Sequence, residues 1–293
     1  MKIACLSTIA SLCFVYLVPA LAAPSRHDQI WRPRRQRISN PLREVKYKPA
    51  PGQVLSLEVQ SEEQEEPSYS SNWAGAVLEN APANAFYSFV SATITAPTPT
   101  ATSTATGSTG TPSTYQAASA WVGIDGATYT AAILQTGLDF YVINGEPYTD
   151  AWFEWYPGYA EYYNEFYVTP GDVLVLSVNI TSPDKDKGVC TVENRSTGVT
   201  VSETVSAPKS TATLAGSNAE WVVENFQSGG EPVPFVEFDE VHFTECQAGA
   251  RNTTVGLENA RIYALVLEEK VVAEVDMEAE ANGFYVRDTR WDS

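Results

Sequence analysis

Along most of the chain, apolar residues recur at every second position and seldom at helical spacing. Over 172–180, Leu174, Leu176, Val178 and Ile180 share one face of a strand by this period of two. Runs rich in β-branched and aromatic residues, bounded by turn formers, predict further strands over 86–96, 118–126, 131–142, 190–194, 199–205, 219–226, 235–244, 261–267, 271–277 and 284–287. Pro183-Asp-Lys-Asp-Lys-Gly188 reads as a charged hairpin turn, and Gly198 fits the turn between the strands on either side of it. No segment sustains the 3.6-residue period of an amphipathic helix. Short strands at this spacing predict an all-β, antiparallel β-sandwich.

The pattern changes at the N-terminus. Lys2, the apolar run Ile3–Val18 and the small residues Ala20, Ala22 and Ala23 read as a signal peptide over residues 1–23, too short to span a bilayer. The protein is therefore expected to be secreted and extracellular, and no later segment is long and apolar enough to make the membrane a partner. Residues 24–67 hold a basic arm followed by the charged linker Ser61-Glu-Glu-Gln-Glu-Glu-Pro67, which reads as exposed and suited to maturation. The ordered domain is expected over 68–293, starting near Tyr69. Within it, Pro97–Thr114 is almost wholly Pro, Thr, Ser, Ala and Gly; it cannot bury apolar surface and reads as a flexible loop suited to O-glycosylation or cutting.

Charge sharpens this division. The arm over 24–50 carries eight Arg and Lys against Asp28 and Glu44, whereas from residue 51 onward nine basic residues stand against 34 acidic ones. Such a body repels nucleic acid, so the arm is read as a propeptide that neutralises its own domain and acts as its inhibitor. Self-repulsion of the body eases when carboxylates are protonated, which suits an acidic working pH. Cys5 and Cys13 leave with the signal segment. Cys190 and Cys246 remain and most simply form one disulfide in a secreted chain, two free buried thiols being the alternative. Asn179, Asn194 and Asn252 each begin a glycosylation sequon, with Asn179 suspected of lying too deep in its strand.

Absences narrow the chemistry. His27 falls in the arm, leaving His242 alone in the domain, so a multi-histidine metal site is excluded and a Ser-His-Asp triad would have to use that one residue. There is no Gly-x-Ser-x-Gly, no His-Glu-x-x-His, no paired Asp-Thr/Ser-Gly and no phosphate-cradling glycine loop. Carboxylates are then the natural acid–base groups, and neither metal nor cofactor is called for. Glu237-Phe-Asp-Glu-Val-His242 resembles the carboxylate pair of β-sandwich glycosidases, with Glu237 and Asp239 on one face, but His242 stands where the second catalytic acid belongs.

Five segments, in order between about residues 68 and 288, resemble those of the glutamic peptidases, or eqolisins, of the aspergilloglutamic type. They are Tyr69-Ser-Ser-Asn-Trp-Ala-Gly75, Trp121-Val-Gly-Ile-Asp-Gly126, Ile133-Leu-Gln-Thr-Gly-Leu-Asp-Phe140, Ala151-Trp-Phe-Glu-Trp-Tyr-Pro157 and Asn218-Ala-Glu-Trp-Val-Val-Glu-Asn-Phe226. The resemblance implies a sandwich of two curved seven-stranded sheets and an acid endopeptidase made as a preproenzyme. Its catalytic pair is implied to be Glu220 and Gln135, with Trp121, Asp125, Asp139, Trp152 and Glu154 supporting the cleft. It also implies excision of a peptide near 97–114, so that the protein would be a monomer or a processed two-chain form. Members carry one cysteine soon after the Ile-Asp-Gly motif and another before Ala-Glu-Trp. Here Thr128-Tyr-Thr130 and Thr211-Ala-Thr213 stand in those places, which implies loss of one disulfide and not of the fold.

In that reading Glu220 takes a proton from water and returns it to the leaving amine, while the Gln135 amide orients the water and stabilises the oxyanion. Protein and peptide substrates follow. The plainer alternatives are a buried amide for Gln135, a solvated strand carboxylate for Glu220, core tryptophans at 121 and 152, and turn caps at Asp125 and Asp139. A different class of function, a non-catalytic carbohydrate-binding sandwich, would use Tyr159, Tyr162, Tyr163 and Tyr167 to stack on sugars.

Overall fold

A computed structural model describes residues 36–49, 67–102, 115–278 and 282–292. The expected signal segment, most of the basic arm, the linker and the heart of the 97–114 loop lie outside these residues.

Strands begin with β1 (Arg37–Ile38), β2 (Ser68–Ser70), β3 (Trp73–Leu78), β4 (Tyr87–Thr95) and β5 (Pro99–Thr100). After the loop come β6 (Tyr115–Ile124), β7 (Ile133–Ile143), β8 (Glu146–Tyr156) and β9 (Glu161–Tyr162). The hairpins β10 (Val173–Ile180), β11 (Lys187–Asn194) and β12 (Val199–Ser206) follow. Next are β13 (Ala219–Glu224), β14 (Gln227–Ser228), β15 (Glu231–Pro232), β16 (Glu237–Phe238), β17 (Glu240–Ala250) and β18 (Thr253–Val255). The chain closes with β19 (Arg261–Leu267), β20 (Lys270–Glu278), β21 (Gly283–Asp288) and one 3₁₀ turn at Thr289–Asp292.

The expected sandwich is present, with both layers joined in one hydrogen-bonded path. The order is β12-β11-β10-β4-β17-β21-β20-β19-β3-β13-β6-β7-β8-β9. Every pairing along it is antiparallel; β2 joins β19 in parallel. The path folds back on itself, so that β4, β10 and β11 lie across β6 and β7. Leu174, Leu176 and Val178, read from alternation, are buried there against Ala118, Ala120, Leu134 and Leu138. Burying a side chain of this size contributes roughly 1.5–3 kcal/mol each.

The structure corrects several expectations. Cys190 and Cys246 are free, buried thiols. They sit on β11 and β17, three strand steps apart through β10 and β4, which sets them roughly 14 Å apart at ~4.8 Å per step, too far for a bridge. Asn194 is fully buried, its amide oxygen accepting the Ser196 and Thr197 N–H groups and its nitrogen donating to Asp172. It closes the β11–β12 turn and is no surface sequon. Asn179, suspected of being too deep, is exposed, as is Asn252. The start of the 97–114 segment is ordered: β5 pairs with β16, and the Thr102 backbone is held in both directions by the Gln116 amide. Glu237 and Asp239 do not share a strand, because β16 ends at Phe238 and Asp239 caps the Thr98 N–H.

The basic arm also enters the domain. Arg37–Ile38 adds as an edge strand to the β14–β15 hairpin. Farther along, Leu42 N–H bonds Gly126 O, Val45 N–H bonds Tyr69 O, and Tyr47 packs edge-on against Tyr69.

Candidate active site

Three register rows on the outward face of β13, β6, β7 and β8 build the site. The first aligns Glu220, Gly123, Gln135 and Glu154; the second Val222, Trp121, Gly137 and Trp152; the third Glu224, Ser119, Asp139 and Asp150. Strand side chains two residues apart share a face, so motifs far apart in sequence converge by pairing alone. The two glycines make the relief of this surface. A Cβ on Gly137 would lie 2.2 Å from Ala120 O and 2.5 Å from Trp121 Cβ, and one on Gly123 would lie 2.8 Å from the Trp121 ring. Glu220 and Gln135 therefore face one another across a residue without a side chain, their backbones roughly 10 Å apart at two strand spacings.

Both are fully buried, and neither Glu220 carboxylate oxygen nor either polar atom of the Gln135 amide has a hydrogen-bond partner among the described residues. Four unpaired polar atoms at one spot are costly, and native structures keep such groups where function needs them. Burial holds the Glu220 carboxyl well above the ordinary range, and the nearby Asp125 charge adds to the effect. The nearby Ala127 N–H opposes it.

Asp125 supports the site from behind. Left-handed at φ 68°, it accepts the N–H groups of Ala215, Gly216, Ser217 and Asn218, the residues leading into β13. Asn218 answers by accepting the N–H groups of Ala127, Thr128 and Tyr129. This reciprocal clasp locks the Ile-Asp-Gly turn to the strand that carries Glu220, a larger role than capping a local turn.

The basic arm covers the face. Arg37 is fully buried, donating to Glu154 at 2.6 Å, to Asp139 at 3.2 and 3.3 Å, to Ser39 and to Ser119. Its guanidinium lies 3.6 Å over the Trp152 ring and 4.7 Å from Phe226. Ser39 N–H reaches both Glu154 oxygens, and Asn40 N–H reaches Glu224, which also accepts Trp121 Nε1–H. Tyr162 O–H donates to Asp139. One cation thus meets three buried carboxyls. Burial alone would lower the guanidinium pKa, but Asp139 and then Glu154 outweigh it and the group is held cationic. One charge does not neutralise three, so burial pushes the Glu154 carboxyl up to about 8 against the pull of Arg37, and Glu224 moves the same way.

This fixes a sign for stability. Glu154 is protonated in the covered, folded state at pH values where the unfolded chain ionises it. Its contribution is complete below the ordinary value of 4.5 and is lost as pH rises through about 8. Glu220, Glu224 and Asp125 shift in the same direction, burial being the first cause in each. The melting temperature of the full chain should therefore be highest on the acidic side and fall steadily toward pH 8, measured by calorimetry across that range; a maximum at alkaline pH would contradict the assignment.

Of the residues singled out from sequence, Gln135, Glu220, Trp121, Trp152, Asp139 and Glu154 meet on this face, with Asp125 directly behind it. Trp121 and Trp152 belong to an apolar floor with Trp73, Val77 and Val222, separate from the interior core. Glu224 and Asn72, which also contact the arm, were not foreseen. Glu224 lies four residues beyond Glu220 in β13 and shares its face, a signal the sequence did contain. His242 pairs with Glu278 at 2.7 Å and stacks on Tyr285, in the layer opposite the pair.

Residues 71–286 match the model of the Peptidase A4 family. Aspergillopepsin-2 of Aspergillus niger is 36% identical over 283 residues, covering 91% of this chain and 94% of that protein. Scytalidopepsin B of Scytalidium lignicola is 35% identical over 216 residues, covering 71% of this chain and 75% of its own. The structure also resembles that of scytalido-glutamic peptidase with a transition state analog inhibitor, at a TM-score of 0.64 and 31% identity over 75% of this chain and 98% of that one.

Proposed function

The chain belongs to the peptidase A4 family, and from that premise we propose that it is a secreted glutamic endopeptidase that hydrolyses proteins and peptides at acidic pH. It would be made as a preproenzyme and act through Glu220, Gln135 and a water molecule. The observation that carries the reading is the facing of a buried carboxyl and a buried carboxamide across Gly123, with the side-chain polar atoms of both unpaired among the described residues.

The ionised Glu220 carboxylate takes a proton from water as the oxygen attacks the scissile carbonyl carbon. The Gln135 carbonyl oxygen orients that water, and its NH₂ donates to the oxyanion of the tetrahedral intermediate. Glu220 then returns the proton to the leaving nitrogen as the C–N bond breaks. In the covered cleft burial keeps Glu220 protonated, hence unfit as a base. Opening the cleft to water removes that desolvation and lets the group ionise within the acidic range.

The arm supports a zymogen reading. Arg37 and the backbone of 39–43 fill the face that substrate must occupy, so the propeptide acts as an inhibitor in cis. Digestion of casein at acidic pH, unaffected by pepstatin or by a chelator, tests the function; loss of activity with the chelator would refute it. A carbohydrate-binding sandwich accounts for neither the unpaired Glu220–Gln135 pair nor the seated Arg37.

A further inference from the structure

We infer that Asn72 is a clamp for substrate backbone in the open cleft, an assignment that rests on the peptidase reading above. Over residues 40–43 the arm is gripped by its main chain. Asn72 Nδ2 donates to Asn40 O at 3.2 Å and to Pro41 O at 3.0 Å, while Asn72 Oδ1 accepts Arg43 N–H at 2.9 Å. Leu42 N–H bonds Gly126 O and Arg43 O accepts Ser71 N–H, both at 2.9 Å. None of these bonds depends on the side chains the segment carries; the Arg43 side chain turns back onto Asn40. They differ in kind from the Arg37 contacts, which select a guanidinium. Any peptide laid along the same track finds the same donors and acceptors.

Asn72 is built for the task. Its amide orientation is set by Ser70 Oγ, which donates to Oδ1 at 3.0 Å and accepts the Asn72 and Trp73 N–H groups. Its own carbonyl accepts Asn225 N–H, one residue beyond the end of β13. The amide is thereby tied to the strand that carries Glu220, so peptide held by Asn72 is held in register with the pair. The residue is 4% exposed beneath the arm. Once the arm leaves, a sheltered amide with two donors and an acceptor gains most from a peptide backbone.

The test uses the full chain at the acidic pH where it digests protein, with a synthetic peptide substrate. Asn72→Ala should raise KM about tenfold and leave kcat within about threefold, as loss of binding shared by ground and transition states requires. A series of the same peptide with single backbone amides replaced by esters supplies a second readout. Wild type should lose several-fold in kcat/KM at two adjacent positions where an N–H is removed, those facing Gly126 O and Asn72 Oδ1, and Asn72→Ala should become indifferent at the second while keeping its sensitivity at the first. Unchanged KM in Asn72→Ala, or undiminished ester sensitivity in it at the second position, overturns the assignment. Should Asn72→Ala fail to fold, the wild-type ester series decides alone: two adjacent sensitive positions support the clamp, and fewer than two overturn it. Glu220→Gln run in parallel separates the two ideas: full activity in that variant removes the catalytic pair and leaves the Asn72 comparison standing.

Discussion

Replacing Glu220 by Gln should lower kcat/KM for peptide hydrolysis about 10³-fold, the usual reach of a single positioned acid–base group. The substituted amide keeps the size of the side chain and cannot take a proton from water. Gln135→Ala should cost about 10²–10³-fold, in line with loss of one preorganised oxyanion donor. Neither loss should come from unfolding. Both oxygens of Glu220 are buried without partners among the described residues, so trading an ionisable group for a neutral one there should leave the melting temperature unchanged or raise it, as is common when a strained functional group is removed. Steady-state kinetics beside thermal melts decide the matter. A Glu220→Gln protein with full activity would end the proposed chemistry.

Arg37→Ala should abolish the latency of the full chain. In the wild type, a lag before protein digestion is expected on transfer to mildly acidic pH while the arm is released and cut; the variant should be active without it. Arg37 is fully buried, with an ion pair to Asp139 at 3.2 Å and a short hydrogen bond to the Glu154 carboxyl at 2.6 Å. Removing one member of such a pair typically costs about 3–5 kcal/mol, a hold weaker by about 10²-fold to 4 × 10³-fold. The loss falls on the covered state alone, because the three carboxyls gain water once the arm lifts. An unaltered lag in Arg37→Ala would show that the arm is held chiefly by its backbone.

How much of this was legible in the sequence depended on how evenly each strand divides its two faces. β10 shows clean alternation because one side is core and the other solvent. β8 did not read as a strand at all: Trp152, Phe153, Trp155 and Tyr156 put aromatics on both faces, since its outward side is the floor of the cleft. The same two-sidedness left Trp121 and Trp152 readable as core residues from pattern alone, their place in the cleft being implied only by the resemblance. Asn194 and Asn179 changed places for a related reason. Asn194 pairs with Leu174, in the inward row of the β10–β11 ladder, whereas Asn179 follows the inward Val178 and so points out. Pairing partners decide which way each asparagine points, and they cannot be read from one strand. The proposed catalytic pair came from family resemblance; periodicity alone would have left Glu220 an ordinary strand carboxylate. Arg37 was visible only as one charge among eight, because its burial depends on three acids contributed by three separate strands.

The Gln116 amide that stitches Thr102 into place has a consequence for covalent continuity. The polypeptide up to Thr102 contributes β3, which lies between β19 and β13, and β4, which lies between β10 and β17. Severing the backbone anywhere between Thr102 and Tyr115 would leave two fragments threaded through both layers, parting only if the whole sandwich melts. A cleaved molecule should run as two bands in detergent and as one particle in native buffer.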